Sequence, residues 1–155
     1  MKSRGYTVAV CTIDNEDYVF NAAYLKMLAR NDTASASQLR ADYLAYTSTE
    51  IDYYAGLHKQ VFGREIPHVM LLHVNRLNAD VIDDVLKLFE EKHYSFVTLD
   101  QAMADPAYGT PDTLVIPFGW MWGYRWAKEL GVKVNGTLET EPPAWITQYG
   151  ATIRR

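Results

Sequence analysis

A chain of 155 residues with 48% hydrophobic and 22% charged side chains has the length and apolar content for one domain around one core, and is too apolar to be disordered. A net charge of −4 and a pI near 5.5 argue against a nucleic-acid footprint, since the only basic cluster is the terminal Arg154-Arg155. No apolar run approaches the roughly 20 residues needed to span a bilayer, and the lone Cys11 excludes an internal disulfide, so a soluble cytoplasmic chain with no membrane or nucleic-acid partner is expected.

Met1-Lys2-Ser3-Arg4 has the charge of a signal-peptide start, but the apolar stretch after it is short, β-branched and closed at once by Asp14, Glu16 and Asp17. Residues 6–12 therefore read as a first buried strand, with 14–17 the loop at its C-terminal end. A helix over about 19–29 follows, with Phe20, Tyr24, Met27 and Leu28 on one face, broken by Asn31-Asp32-Thr33. Ser35-x-x-Gln38 fits a capping box. Beyond it Leu39, Tyr43, Tyr46, Ile51, Tyr54, Leu57 and Val61 recur at helical spacing, in one long helix or two joined near Thr47-Ser48-Thr49. Gly63 ends that segment, and Pro67 leads into a strand over 68–74.

A helix over about 79–92 buries Val81, Ile82, Val85, Leu86 and Phe89, with Asp80, Asp83 and Asp84 near its start and Lys92 and His93 near its end, as the macrodipole favours. A short strand over 95–97 runs into Thr98-x-x-Gln101, a second capping-box match, and a short helix closed by Asp105-Pro106. Residues 113–116 are the last strand candidate. Trp120, Trp122, Tyr124 and Trp126 fall in a helix ending near Gly131, and 132–155 reads as an extended tail containing Glu141-Pro142-Pro143-Ala144-Trp145. The whole is one α/β domain over 1–155, of parallel strands with intervening helices.

Parallel α/β folds place their chemistry at strand ends, which here carry Asp14 to Asp17, His73 with Asn75, and Thr98 to Asp100. A carboxylate beside a histidine orients the ring for proton transfer, and Asp17 with His73 is the pair to expect. Set against it, Asp17 caps the following helix and His73 is a satisfied core histidine. His58, His68, His73 and His93 have no zinc-site spacing, leaving only a weak metal site of His73 with Asp14, Asp17 or Asn75. Trp120, Trp122, Trp126 and Trp145, with Tyr108 and Tyr124, suit either stacking on sugar rings or core packing; Trp120 and Trp122, following a strand end, are the groove candidates. The tyrosine face from Tyr43 to Tyr54 is core or interface first.

Three blocks in order, Val10-Cys11-Thr12-Ile13-Asp14-Asn15-Glu16-Asp17-Tyr18, Val69-Met70-Leu71-Leu72-His73-Val74-Asn75 and Phe96-Val97-Thr98-Leu99-Asp100-Gln101-Ala102-Met103-Ala104-Asp105-Pro106-Ala107-Tyr108, carry a family resemblance. The chain resembles the C-terminal half of the polysaccharide deacetylases, metal-dependent carbohydrate esterases with a NodB-type barrel. The resemblance implies a partial deacetylase-like (β/α) barrel lacking its N-terminal strands. It makes His73 the catalytic acid and Asp17 its partner, and puts Tyr18, where the family usually has tryptophan, with Asn75, Trp120 and Trp122 against substrate. The intact family takes zinc, but its Thr-Phe-Asp-Asp, His-x-x-x-His and Arg-x-Pro motifs lie upstream of the matching region, so no cofactor and no metal ligand set are expected here. The implied function is hydrolysis of acyl groups on carbohydrate by a truncated relative, or a non-catalytic carbohydrate-binding or assembly module. An open half-barrel also exposes strand edges and inner apolar residues, from which a homo-oligomer is expected.

Overall fold

Helices carry this chain. The structure, a computed structural model, describes residues 4–6, 8–117 and 119–151. Among them are six α-helices: α1 (Asp17–Ala29), α2 (Thr33–Phe62), α3 (Arg76–Glu91), α4 (Leu99–Met103), α5 (Trp122–Glu129) and α6 (Ala144–Ala151). Short 3₁₀ turns at Pro106–Gly109 and Gly136–Leu138 join the later ones.

The 30-residue α2 is the central element. Asp32 starts it by accepting the Ser35 N–H at 3.1 Å, so the aspartate and not Ser35 is the cap. Thr47-Ser48-Thr49 does not divide it: the helix runs through without a break, with the Thr49 hydroxyl bonded back to the Ala45 carbonyl at 3.1 Å. Gly63 stops it in the left-handed region, at φ 69°, which costs glycine little. Leu39, Tyr43, Ile51, Tyr54, Leu57 and Val61 are buried along its length. Helices α1, α3 and α5 pack against it, and α1 also meets α3 and α6. The expected box at Thr98 and Gln101 does form, opening α4.

The expected α/β partial barrel is overturned. Of the strand candidates 6–12, 68–74, 95–97 and 113–116, none is a strand among the described residues; Thr7 lies outside them. The one β pairing there is a single parallel bridge, Ile13 to Met70. It is framed by the Thr12 N–H on the Val69 carbonyl at 2.7 Å and the Leu71 N–H on the Ile13 carbonyl at 2.9 Å. A short apolar run is compatible with either a buried strand or other buried backbone, and becomes a strand only where a neighbour supplies a ladder. Here Val97 and Val115 remain exposed, at 55% and 95%, and the interior that a sheet would share is filled by the aromatic face of α2.

Residues 132–151 fold back onto the helices. Ile146 of α6 is buried, Gly150 lies against Ala23 of α1, and the Trp145 indole N–H donates to Asp42 at 2.9 Å. No helix among the described residues is long and apolar enough to cross a membrane.

Candidate functional site

The loop before α1 sets the geometry of the site. Asp14 accepts the Glu16 N–H at 2.9 Å, and Glu16 adopts a left-handed conformation at φ 49°, an uncommon one for a residue with a Cβ. The turn delivers Asp17, the first residue of α1, into the interior with its carboxylate against the loop that precedes α3.

Four donors converge on that carboxylate. Oδ1 accepts from His73 Nδ1 at 2.6 Å; Oδ2 accepts from the His73 backbone N–H at 2.7 Å, from Asn75 Nδ2 at 3.2 Å and from Asn78 Nδ2. Asp17 is buried while the His73 side chain remains 51% exposed. An ionised carboxylate only accepts, so the proton of neutral His73 belongs on Nδ1 and the lone pair on Nε2. The Tyr18 ring meets the imidazole edge-on, with centroids 6.0 Å apart. His68, five residues earlier, turns to other company: its ring sits 5.2 Å from that of the buried His58.

Tyr18 is also where the pair adjoins a cleft of about 480 Å³. Tyr46, Tyr54, Tyr124 and Trp120 give this cleft aromatic walls, and Asp14, Glu16, Glu50 and Glu139 give it carboxylates, with no basic side chain in its lining among the described residues. Glu139 takes hydrogen bonds from the hydroxyls of Tyr54 and, at 2.6 Å, Tyr124. Glu50 is bonded by the Thr140 hydroxyl, and burial pushes its carboxyl up to about 7. Burial, with Glu141, Asp14 and Glu139 nearby, raises Glu16 as well. At neutral pH Glu50 therefore keeps, in a good part of the molecules, a proton that an ordinary carboxyl would have released. A second groove, of about 540 Å³, is lined by Met70, Leu72, Val85, Leu86, Phe89 and Phe96.

The expected site residues separate by position. Asp17 and His73 are brought together. Tyr18 and Trp120 line the cleft, and Trp120 is 46% exposed. Asn75 caps α3, accepting the Asn78 N–H at 2.8 Å, and donates to Asp17. Trp122 does not line the cleft: it packs on Trp126 beneath the Arg125 guanidinium. Among the described residues no group of three or more His, Cys, Asp and Glu side chains is disposed to hold a metal ion. Asn78, Tyr43, Glu50 and Glu139 escape a reading by spacing. Each belongs to a helix face or loop whose pattern carries no sign of a polar partner dozens of residues away.

No family model matches the chain, and neither a curated protein nor a solved structure matches it. With no family match and a helical architecture in place of parallel strands, the resemblance to the polysaccharide deacetylases is not upheld. Three short blocks shared in order are few enough residues to arise from strand-end and capping patterns that many chains use.

Proposed function

We propose that this chain binds a carbohydrate in the aromatic, acidic cleft and moves a proton on it with the His73–Asp17 pair. The observation that carries this reading is a half-exposed imidazole fixed through Nδ1 at 2.6 Å to a buried carboxylate, with its ring 6.0 Å from that of Tyr18, which lines the cleft. In that state Nε2 takes the proton of a hydroxyl or water as its oxygen bonds to an ester carbonyl carbon, Asp17 stabilises the imidazolium, and the proton passes to the alkoxide oxygen as that oxygen's bond to the carbon breaks. Tyrosine and tryptophan faces suit the apolar faces of pyranose rings, and carboxylates accept from sugar hydroxyls.

Calorimetry with a panel of neutral oligosaccharides tests the binding, and turnover of an activated acetyl ester tests the proton transfer. Trp120→Ala should weaken binding about tenfold, the worth of one lost stacking contact. His73→Gln should leave binding intact and lower ester turnover on the order of a hundredfold. No binding across the panel would overturn the carbohydrate reading; a His73→Gln variant as active as its parent would overturn the acid–base one.

A second reading, binding without catalysis, is favoured by the lining of the cleft, which includes Tyr18 but not His73. Sugar binding by a parent chain inert toward the ester would select it. For partners, self-association is supported by the apolar groove at Met70, where the exposed Phe96 and Val97 line a segment whose β pairing among the described residues is a single bridge to Ile13. Light scattering over a range of concentrations should give a mass above 17.7 kDa; a constant 17.7 kDa would exclude it. The cytoplasm is the proposed compartment, consistent with Cys11 as a free thiol.

A further inference from the structure

We propose that Asn15, Tyr43 and Asn78 form a hydrogen-bond chain of fixed direction that positions Asp17 and so decides which ring nitrogen of His73 carries the proton. This inference rests on the acid–base reading of His73, but its test does not need turnover.

The direction follows from the end of the chain nearest the site. The Asn78 amide faces two groups that only accept, Asp17 Oδ2 and the His73 carbonyl, the latter at 2.9 Å. Its NH₂ must therefore point at them, which leaves its Oδ1 turned toward Tyr43. The Tyr43 hydroxyl donates to that oxygen at 2.7 Å. Having spent its one proton, Tyr43 can only accept from Asn15, whose Nδ2 lies 2.7 Å from it and 3.0 Å from the Thr47 hydroxyl. Asn15 Oδ1 is then left buried with no partner among the described residues. Turning the Asn15 amide over would satisfy that oxygen with the Tyr43 proton, but would take the proton from Asn78 and loosen the amide that holds Asp17. The unpaired atom thus sits at the end of the chain farthest from Asp17, and every bond nearer the site is made.

All three side chains are buried on fixed backbone. Asn15 is in the loop before α1, Tyr43 in the first half of α2, and Asn78 in the first turn of α3. The chain therefore ties the three elements that meet at the site. Tyr43 is a positioning residue: it touches neither His73 nor the cleft, and acts by keeping Asn78 turned toward Asp17.

The test uses the full chain, labelled with ¹⁵N, and reads the His73 tautomer from its ring nitrogen shifts above the titration of the imidazole. The parent should show the Nδ1–H form. Tyr43→Phe keeps the ring packed against Phe20, 5.2 Å away, and removes only the donor. It should raise the Nε2–H fraction and, where the ester is turned over, lower kcat on the order of tenfold with KM little changed, and shift the pH profile. Asn15→Asp, of the same size, draws the Tyr43 proton away from Asn78 and should change the tautomer in the same direction. A folded Tyr43→Phe chain that loses melting temperature but keeps the parent's tautomer and pH profile would overturn the proposal, because its role would then be structural only. A tautomer change in a chain inert toward the ester would support the proposal while overturning the catalytic reading.

Discussion

Asp17 is a buried charge whose oxygens answer four donors, and its removal should be felt in folding as well as in any activity. Asp17→Asn keeps the shape but sets an NH₂ against groups that themselves donate. The expected cost is about 3 kcal/mol, since hydrogen bonds to a charged acceptor are lost and buried donors are left unmet. That corresponds to a fall of roughly 8 °C in Tm for a domain of this size, to be read by calorimetry at neutral pH. A fall of less than about 2 °C would mean that the four bonds contribute little net stability. At this scale the sequence is partly legible. Asp17 and His73 stand out because each ends or follows an apolar run, where a polar side chain needs a reason. Tyr43 does not stand out, because its ring belongs to the apolar stripe of α2 and its hydroxyl's partner is 35 residues away. Asn78 reads as one more polar residue near a helix start.

The helices are legible for physical reasons that the strands lack. Helical spacing, the Thr98–Gln101 box and the Gly63 stop are local signals, satisfied within a few residues of where they stand. A strand is defined by a neighbour, and the runs 95–97 and 113–116 have none among the described residues. Two glycines test how tightly the helices meet. In α5, a Cβ on Gly123 would come within 2.7 Å of Leu57 Cδ2 and 2.8 Å of His58 Nε2, closer than packed atoms approach. Alanine's better helix propensity, about 1 kcal/mol, works against that clash, but overpacking against two buried side chains of α2 outweighs it. Gly123→Ala should therefore destabilise by about 1–2 kcal/mol net. In α2 itself, a Cβ on Gly56 would meet nothing within 4 Å, so Gly56→Ala should stabilise by up to about 1 kcal/mol. Urea unfolding of both variants checks the pair; the same sign for both would refute this account of the α2–α5 contact.

Across the whole molecule, buried titratable groups give stability a definite dependence on pH. His58 is fully buried among Tyr54, His68 and Trp126, and burial with the neighbouring histidine pushes it down to about 3. Burial takes His68 down to about 4. Between their ordinary value of 6.5 and these folded values the unfolded chain binds protons that the folded chain refuses, so both histidines remove stability as pH falls through that window. Glu50 acts in the opposite sense. Its folded value of about 7 lies above the ordinary 4.5, so the folded chain holds a proton the unfolded chain has lost, and stability falls as pH rises between them. Glu16 adds to that trend. Where the windows overlap, two histidines oppose mainly one strongly shifted carboxyl, so stability should still rise with pH, less and less steeply, and level off near 7. Tm measured from about pH 3 to 9 should trace this curve, steep on the acid side and flat around neutrality. His58→Leu should flatten the acid limb, and Glu50→Gln, neutral at every pH, should steepen the rise between about pH 5 and 7. If Glu50→Gln leaves that rise unchanged, Glu50 is not held protonated by burial, and its carboxylate is charged at neutral pH.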